Sequence, residues 1–420
     1  MKYWVKWFII LLSFNLAYGA AAQKAKQSTR WSITKTRILG ADAIADLNNE
    51  NPTIVSFFWQ DQYRLDPYSS RDYGLELKYK LVLNPADNTT YTSIGQQNIK
   101  NVTATISRQW SHWGQSIFGL QEVSWGENLF MPILDLVNPR DVTNPRGYYD
   151  SGNKLSQLML RQEYQKGDYS LQLIVIPLTR RTPFPEAIAG FGVKQPKELL
   201  PGQGSEYGAK LSQLINALEM QYYILSHLPR NPSYTFASYS GNNELEVNEE
   251  RILTLGTSFA IASQEIVYRG DFALHNNYPA SSVQYEIERT NLIQSIVGAE
   301  YVTQSAQTFG IEAHIDLWED QPETYSNGPW ASADSSQAQE YFWLGISSRM
   351  TFFNDILQPQ FFYFRGVSND DTLIRILTDY NIGDDIKVNF EVQSTSAATT
   401  SPKFLLGDVE RSLMSVTYTF

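Results

Sequence analysis

The chain has 420 residues, 42% of them hydrophobic, 13% aromatic and only 18% charged, with a formal net charge of −11. That acidity excludes the basic footprint that nucleic-acid binding requires, and the absence of cysteine excludes a disulfide framework or a thiolate metal site. No apolar run of about 20 residues follows the N-terminus, so a helical membrane protein is excluded too.

Residues 1–22 read as a secretory signal peptide. Lys2 and Lys6 supply the positive end, the stretch from Trp7 to Leu16 is mostly apolar, and Ala20, Ala21 and Ala22 offer a small-residue cleavage site. Cleavage near Gln23 removes two positive charges, so the mature chain is more acidic than the precursor. Residues 23–420 contain no linker, repeat or low-complexity stretch that would divide them, and they read as one domain.

The mature chain is written in strand grammar. A weak pattern at 31–45 is followed by a turn cluster at 46–52 and a strand over 53–65. At 73–83, Leu75, Leu77, Tyr79, Leu81 and Leu83 fall on one face while Glu76, Lys78 and Lys80 fall on the other. The same alternation predicts strands at 99–110, 115–125, 155–165, 169–180, 206–215, 218–227, 249–261, 263–275, 288–304, 307–319, 340–353, 356–367, 372–380, 385–394 and 410–420. That makes about eighteen strands, or sixteen if one pair is misread. Most are about 10 to 13 residues long, which suits a tilted membrane strand of about 9 to 11 residues better than the globular mode of about five or six.

Connections alternate in length. Those at 167–168, 216–217, Ala262, 305–306 and 354–355 are very short, and those at 85–98, 126–154, 182–205, 228–248, 276–287, 320–339 and 395–409 are long. Outer-membrane barrels have short periplasmic turns and long outer loops. Strand 53–65 must then run toward the periplasm, which requires an upward strand at 31–45 before it. The closing strand 410–420 ends in the periplasm and pairs with 31–45. In that strand Met414, Val416, Tyr418 and Phe420 share one face and Ser415, Thr417 and Thr419 the other. A chain ending on an aromatic in this way resembles the C-terminal strand through which the barrel-assembly machinery recognises bacterial outer-membrane barrels. The expected fold is all-β, a transmembrane antiparallel up-and-down barrel in the outer membrane of a Gram-negative bacterium. Its partners would be the surrounding lipid and the assembly machinery, with both termini periplasmic.

Residues 123–145 break the pattern. Leu129, Phe130, Ile133, Leu134 and Val137 have roughly helical spacing, and Asp135, Asn138, Asp141 and Asn144 recur at intervals of three. An apolar turn of helix gains nothing in water outside a cell, so loop 126–154 is expected to fold inward and narrow or plug the lumen. Here the chain resembles a family of proteobacterial outer-membrane barrels of unassigned function, in which a Trp-Gly ending one strand precedes an Asp-x-x-Asn-Pro-x-Asp segment. The matching residues are Trp125, Gly126, Asp135, Asn138, Pro139 and Asp141. The resemblance implies an outer-membrane channel or exporter component and brings no established substrate. Asp135, Asn138 and Asp141 are hard oxygen ligands that suit calcium, but Asx residues flanking a proline more commonly cap and turn the backbone.

By alternation the lumen receives Lys78, Lys80, Arg161, Arg180, Arg375 and Lys387 against Glu76, Glu122, Glu163, Glu312, Asp316 and Glu391. The two signs nearly balance, so the wall does not advertise a strong ion selectivity. Glu312, His314 and Asp316 share the polar face of one strand and read as a lumenal polar ladder rather than a catalytic dyad; no enzyme activity and no cofactor is expected. Trp59, Trp110, Trp113, Trp318, Trp330 and Trp343 lie near strand ends, as interfacial girdles require, although a few could line a sugar or lipid path. The sequence thus points to a channel or exporter for a small polar solute. A lipid-handling component with an occluded lumen is the alternative, and a structural or adhesive barrel the second.

Overall fold

The computed structural model describes residues 31–46, 54–67, 74–83, 99–127, 133–140, 154–180, 204–230, 233–236, 245–248, 250–281, 287–319, 340–368, 371–396 and 409–419. In chain order the first strands are β1 Trp31–Asp46, β2 Ile54–Pro67, β3 Gly74–Leu83, β4 Ile99–Ser111, β5 Gly114–Gln121, β6 Gln157–Lys166 and β7 Tyr169–Ile176. They continue as β8 Glu206–Ile215, β9 Leu218–His227, β10 Ser233–Phe236, β11 Leu245–Asn248, β12 Ile252–Ser263, β13 Ile266–Ser281 and β14 Ile287–Val302. The last are β15 Thr308–Trp318, β16 Glu340–Arg349, β17 Leu357–Gly366, β18 Thr372–Ile382, β19 Ile386–Ser396 and β20 Val409–Thr419.

Eighteen of these strands form one antiparallel sheet, and β10 with β11 forms a separate hairpin. Each strand of the large sheet pairs with its chain neighbours, with β9 meeting β12 across the small hairpin. The sheet closes because β1 pairs with both β2 and β20, with Ala41 opposite Val416 and Ala43 opposite Met414. Closure removes the edges that an open sheet would present to lipid. The pairing expected of 31–45 and the C-terminal strand is therefore present, and the strand number is eighteen rather than sixteen.

Tight turns set the register on one end of the barrel. Asn216 and Gln264 adopt positive φ in two-residue hairpins, the backbone shape that matches such a turn to the twist of its strands, and Ala306 does so in the longer turn between Val302 and Thr308. The turn expected at Ala262 is displaced, because β12 runs on to Ser263 and reverses at Gln264 and Glu265. Thr419 N donates to Asp385 O at 2.8 Å, so β20 ends at this short-turn end of the barrel.

The two faces differ as a membrane-spanning barrel demands. On β15, Ile311, Ile315 and Leu317 are exposed on the outside, while His314 and Asp316 are buried on the inside. On β20, Met414, Val416 and Tyr418 face outward and Leu413 and Ser415 inward; Phe420 lies outside the described residues. Among the described residues no helix is long and apolar enough to cross a membrane, which says nothing of crossing by strands.

Three expected strands are shorter than the alternation suggests. β5 stops at Gln121 rather than at Trp125, β7 at Ile176 rather than at Arg180, and β16 at Arg349 rather than at Phe353. Alternating burial continues through Gln121, Val123 and Trp125, but the segment has left the ladder and entered the lumen. Periodicity reports which side a residue faces, and it does not report whether a neighbouring strand is present to pair.

Candidate functional site, a segment folded into the lumen

The segment after β5 enters the barrel and packs on its inner wall. Val123, Trp125, Ile133, Leu134 and Val137 join one buried apolar cluster with Met159 of β6, Ile174 and Ile176 of β7 and Leu225 of β9. Burying each of the segment's large side chains stabilises the inward position by roughly 1.5–3 kcal/mol. The wall is shaped to receive them. A Cβ on Gly208 would lie 2.7 Å from the Trp125 ring, and one on Gly256 would lie 2.3 Å from Leu134 Cδ2, so a side chain at either position would force the inserted residue to shift.

Polar groups then fix the backbone. Asn138 uses its whole amide: Oδ1 accepts from Val123 N at 2.7 Å, and Nδ2 donates to Gln121 O at 2.9 Å and Leu155 O at 2.8 Å. It therefore joins the end of β5 to the chain approaching β6. Asp135 Oδ2 lies 2.9 Å from Arg140 Nη2 and 2.6 Å from Lys154 Nζ, and all three side chains are buried. Lys154 Nζ also donates to Ser124 Oγ at 2.6 Å. Both positive groups therefore sit on the one carboxylate oxygen, Asp135 Oδ2. Pro139 is buried beside them, and its carbonyl accepts from Leu155 N at 2.8 Å. Phe130 and Asp141 lie outside the described residues.

A second clamp comes from across the wall, built by residues that no motif in the chain marks. Arg230 pairs with Glu206 through Nη1–Oε1 at 3.0 Å and Nη2–Oε2 at 2.6 Å. The same guanidinium donates Nη2 to Val137 O at 2.9 Å and Nε to Leu136 O. One buried ion pair thus holds two backbone carbonyls of the segment against β8 and β9. Trp125 and Gly126 occupy the segment's other side. Trp125 Nε1 donates to Gln172 Oε1 at 2.7 Å, its ring packs on Tyr223, and Gly126 N donates to the Tyr223 hydroxyl at 3.2 Å.

Glu127 follows directly, held by Asp271 Oδ1, which accepts from its backbone N at 3.1 Å, and by Gln221, which donates to its carboxylate at 2.5 Å. Burial, and secondarily the nearby Glu219, push the Glu127 carboxyl above the usual carboxylate range. The expected helical turn is absent from the described residues. Residues 133–140 form successive bends, with Leu136 N bonded back to Leu134 O. Arg230 and Gln157 supply partners to the Leu136 and Val137 carbonyls that a helix would have supplied internally.

The remaining lumen residues mostly pair with one another. Arg161 lies 3.0 Å from Glu163, Arg375 makes a two-point contact with Glu391 at 2.7 and 3.0 Å, and Lys387 lies 2.9 Å from Asp379. Glu312 sits half-buried on the inner face of β15, where its Cγ approaches Gly298. His314 Nε2 is 2.7 Å from Asp316 Oδ1, which also accepts from Gln294. Lys78 and Lys80 fall on β3, with side chains outside the described set. Two assignments need correction. Glu122 is off the strand and out of the inward alternation, and Arg180 is exposed beyond β7, where its backbone N donates to Gln157 Oε1 at 2.9 Å.

An eighteen-stranded antiparallel barrel with a loop folded onto its inner wall has the architecture of outer-membrane porin-type channels. Among solved structures, OccK8 (OprE) of Pseudomonas aeruginosa aligns over 93% of this chain and 98% of its own, with 11% identity and a TM-score of 0.58. OccAB3 of Acinetobacter baumannii aligns over 93% and 99% with 9% identity and a TM-score of 0.57. The outer membrane protein opdK of P. aeruginosa aligns over 93% and 99% with 8% identity and a TM-score of 0.56. At such identities these likenesses establish the barrel fold. No protein-family profile and no curated protein matches the chain.

Proposed function

We propose that the protein is an outer-membrane channel of a Gram-negative bacterium that passes a small polar solute. The inward residues 122–127 and 133–140 form part of its constriction. The observation that carries this reading is the double clamp, Asn138 at one side and the Arg230–Glu206 pair at the other, which holds a loop inside a barrel whose inner wall also carries paired charges. Nearly balanced charges along that wall support selection by width and local charge rather than by one sign of ion. Residues 1–22 would direct secretion, loop 126–154 would include the constriction, and the turns with positive φ would face the periplasm together with both termini. The C-terminal strand would present Met414, Val416 and Tyr418 to the assembly machinery. The Trp125, Gly126 and Asp135–Asp141 pattern would mark a family of such channels.

A second reading has its own support. At the long-loop end of β15 to β18 the inner wall is apolar, with Trp318, Tyr341, Trp343, Phe364 and Leu373 buried and the Tyr341 and Trp343 rings stacked 5.5 Å apart. Such a wall suits a hydrophobic cargo in an occluded lumen. Single-channel conductance in planar bilayers separates the two. A small conductance that grows when residues 129–137 are deleted supports the channel. Absence of conductance before and after the deletion refutes it and favours the lipid-handling barrel.

A further inference from the structure

Three histidines of the inner wall form one line of hydrogen bonds crossing five strands. His227 Nδ1 lies 2.8 Å from Leu228 O, and His227 Nε2 lies 2.9 Å from Thr254 Oγ1. Thr254 Oγ1 lies 2.8 Å from His275 Nδ1, and His275 Nε2 lies 3.0 Å from Gln294 Oε1. Gln294 Nε2 then donates to Asp316 Oδ1 at 2.9 Å, and the same oxygen is 2.7 Å from His314 Nε2. Register produces this staircase: Thr254 is directly opposite His275 and Gln294 directly opposite Asp316, while the alternate steps run diagonally. His227, Thr254, His275, His314 and Asp316 are all at most 2% exposed.

The hydrogens do not add up for neutral side chains. The line from Leu228 to Gln294 ends in two acceptors, a backbone carbonyl and an amide oxygen whose partner nitrogen is committed to Asp316. Four links separate those acceptors, and each needs one hydrogen. Neutral His227, Thr254 and neutral His275 bring one each, leaving one link with two acceptors face to face. Turning the Gln294 amide over only moves the shortage to Asp316, whose carboxylate would then face the amide oxygen. Among the described links, every arrangement that satisfies the line contains one hydrogen more than neutral imidazoles and an ionised Asp316 provide.

We infer that this line is a buried binding site for one proton, carried by His275 as imidazolium and balanced by Asp316 through the Gln294 amide. The charged groups around it agree with that location. Two guanidiniums stand on the His227 side, Arg251 bonded to Ser226 O and Oγ and Arg230 paired with the Glu206 carboxylate that accepts from Leu228 N. On the far side stand Asp316 and His314 of β15, and the Tyr278 ring edges onto His275. Asp271, also on β13, is engaged by Glu127 N, and Arg289 of β14 is paired with Glu250.

The site adjoins the clamp. Leu228 O closes the proton line while Leu228 N donates to Glu206, whose partner Arg230 holds Leu136 and Val137. Loss of the proton at alkaline pH places two acceptors together, displaces the His227–Leu228 backbone and loosens the clamp. This last step rests on the reading of the segment as a constriction; the proton site does not.

The test is nitrogen NMR of full-length protein in nanodiscs with 15N-labelled histidine, using exposed His112 as the internal reference. One imidazole is expected to remain doubly protonated at about pH 8, well above the free value of about 6.5. Thr254→Val is nearly isosteric and removes two links together with one hydrogen, so the imidazolium is expected to disappear while the barrel stays folded. Asp316→Asn keeps an acceptor for Gln294 and removes the counter-charge, and it is expected to weaken proton binding about tenfold. Singly protonated rings throughout the wild type at about pH 8, or an imidazolium retained in Thr254→Val, overturn the inference. Conductance that rises with loss of the proton in the wild type supports the coupling to the clamp, and conductance indifferent to that loss overturns the coupling alone.

Discussion

Replacing Arg230 by methionine keeps most of the side-chain volume and removes every charge-assisted contact of the clamp. Glu206, which is 0% exposed, then carries a charge with no guanidinium beside it, and removing one partner of a buried pair costs about 3–5 kcal/mol. The carbonyls of Leu136 and Val137 lose donors as well, at about 1 kcal/mol each if they find no other. Segment 133–140 can relieve part of this by swinging into the water of the lumen. The expected result is a loss of about 3–5 kcal/mol in urea unfolding from lipid vesicles, followed by tryptophan fluorescence, together with raised single-channel conductance. Adding Glu206→Gln removes the stranded charge but does not restore the clamp, so stability recovers in large part while conductance stays high. A change below about 1 kcal/mol with wild-type conductance would show that the pair neither braces the wall nor holds the segment.

Two other perturbations test separate parts of the structure. Gly119 of β5 has a φ of 136°, and a Cβ there would lie 2.0 Å from the Ala104 carbonyl oxygen. Because the obstacle is backbone, Gly119→Ala is expected to cost at least about 2–3 kcal/mol, visible as lost heat-resistant mobility on a gel; a normal barrel would contradict that geometry. Glu127 binds its proton more tightly in the folded barrel than in the unfolded chain. Its contribution to stability is therefore greatest at acid pH and falls as pH rises from the ordinary carboxylate value through the raised folded value. Cation selectivity, read as reversal potential in a salt gradient, should increase over the same window and do so less in Glu127→Gln. Identical profiles for the two proteins would remove Glu127 from the permeation path.

Legibility varied with how local the cause was. β8 and β9 were read to the residue because Asn216 takes the positive φ that ends one strand and starts the next. β5 was read too long because Val123 and Trp125 keep the strand period while packing on an inserted segment instead of a pairing partner. Asn138 stands out in the sequence as an Asx before proline, but its bonds to Val123 N, Gln121 O and Leu155 O reach far along the chain and follow from the tertiary fold. Arg230 was invisible, because its partners Glu206, Leu136 and Val137 lie far from it along the chain. Of the histidines, alternation places only His314 beside a partner, Asp316; the links of His227 and His275 depend on strand register.

The sequence by itself determined the barrel. Alternating faces, strand lengths near the thickness of a bilayer and the regular exchange of short and long connections are local properties, and together they demand closure of β1 on β20. The tertiary structure alone decided what the lumen holds. Register places Thr254 against His275 and Gln294 against Asp316, and closure brings Arg230 onto the carbonyls of a segment nearly a hundred positions away. A strand's alternation reveals which residues face inward. Which of them touch one another across the wall depends on shear and register, and no single stretch of chain encodes either.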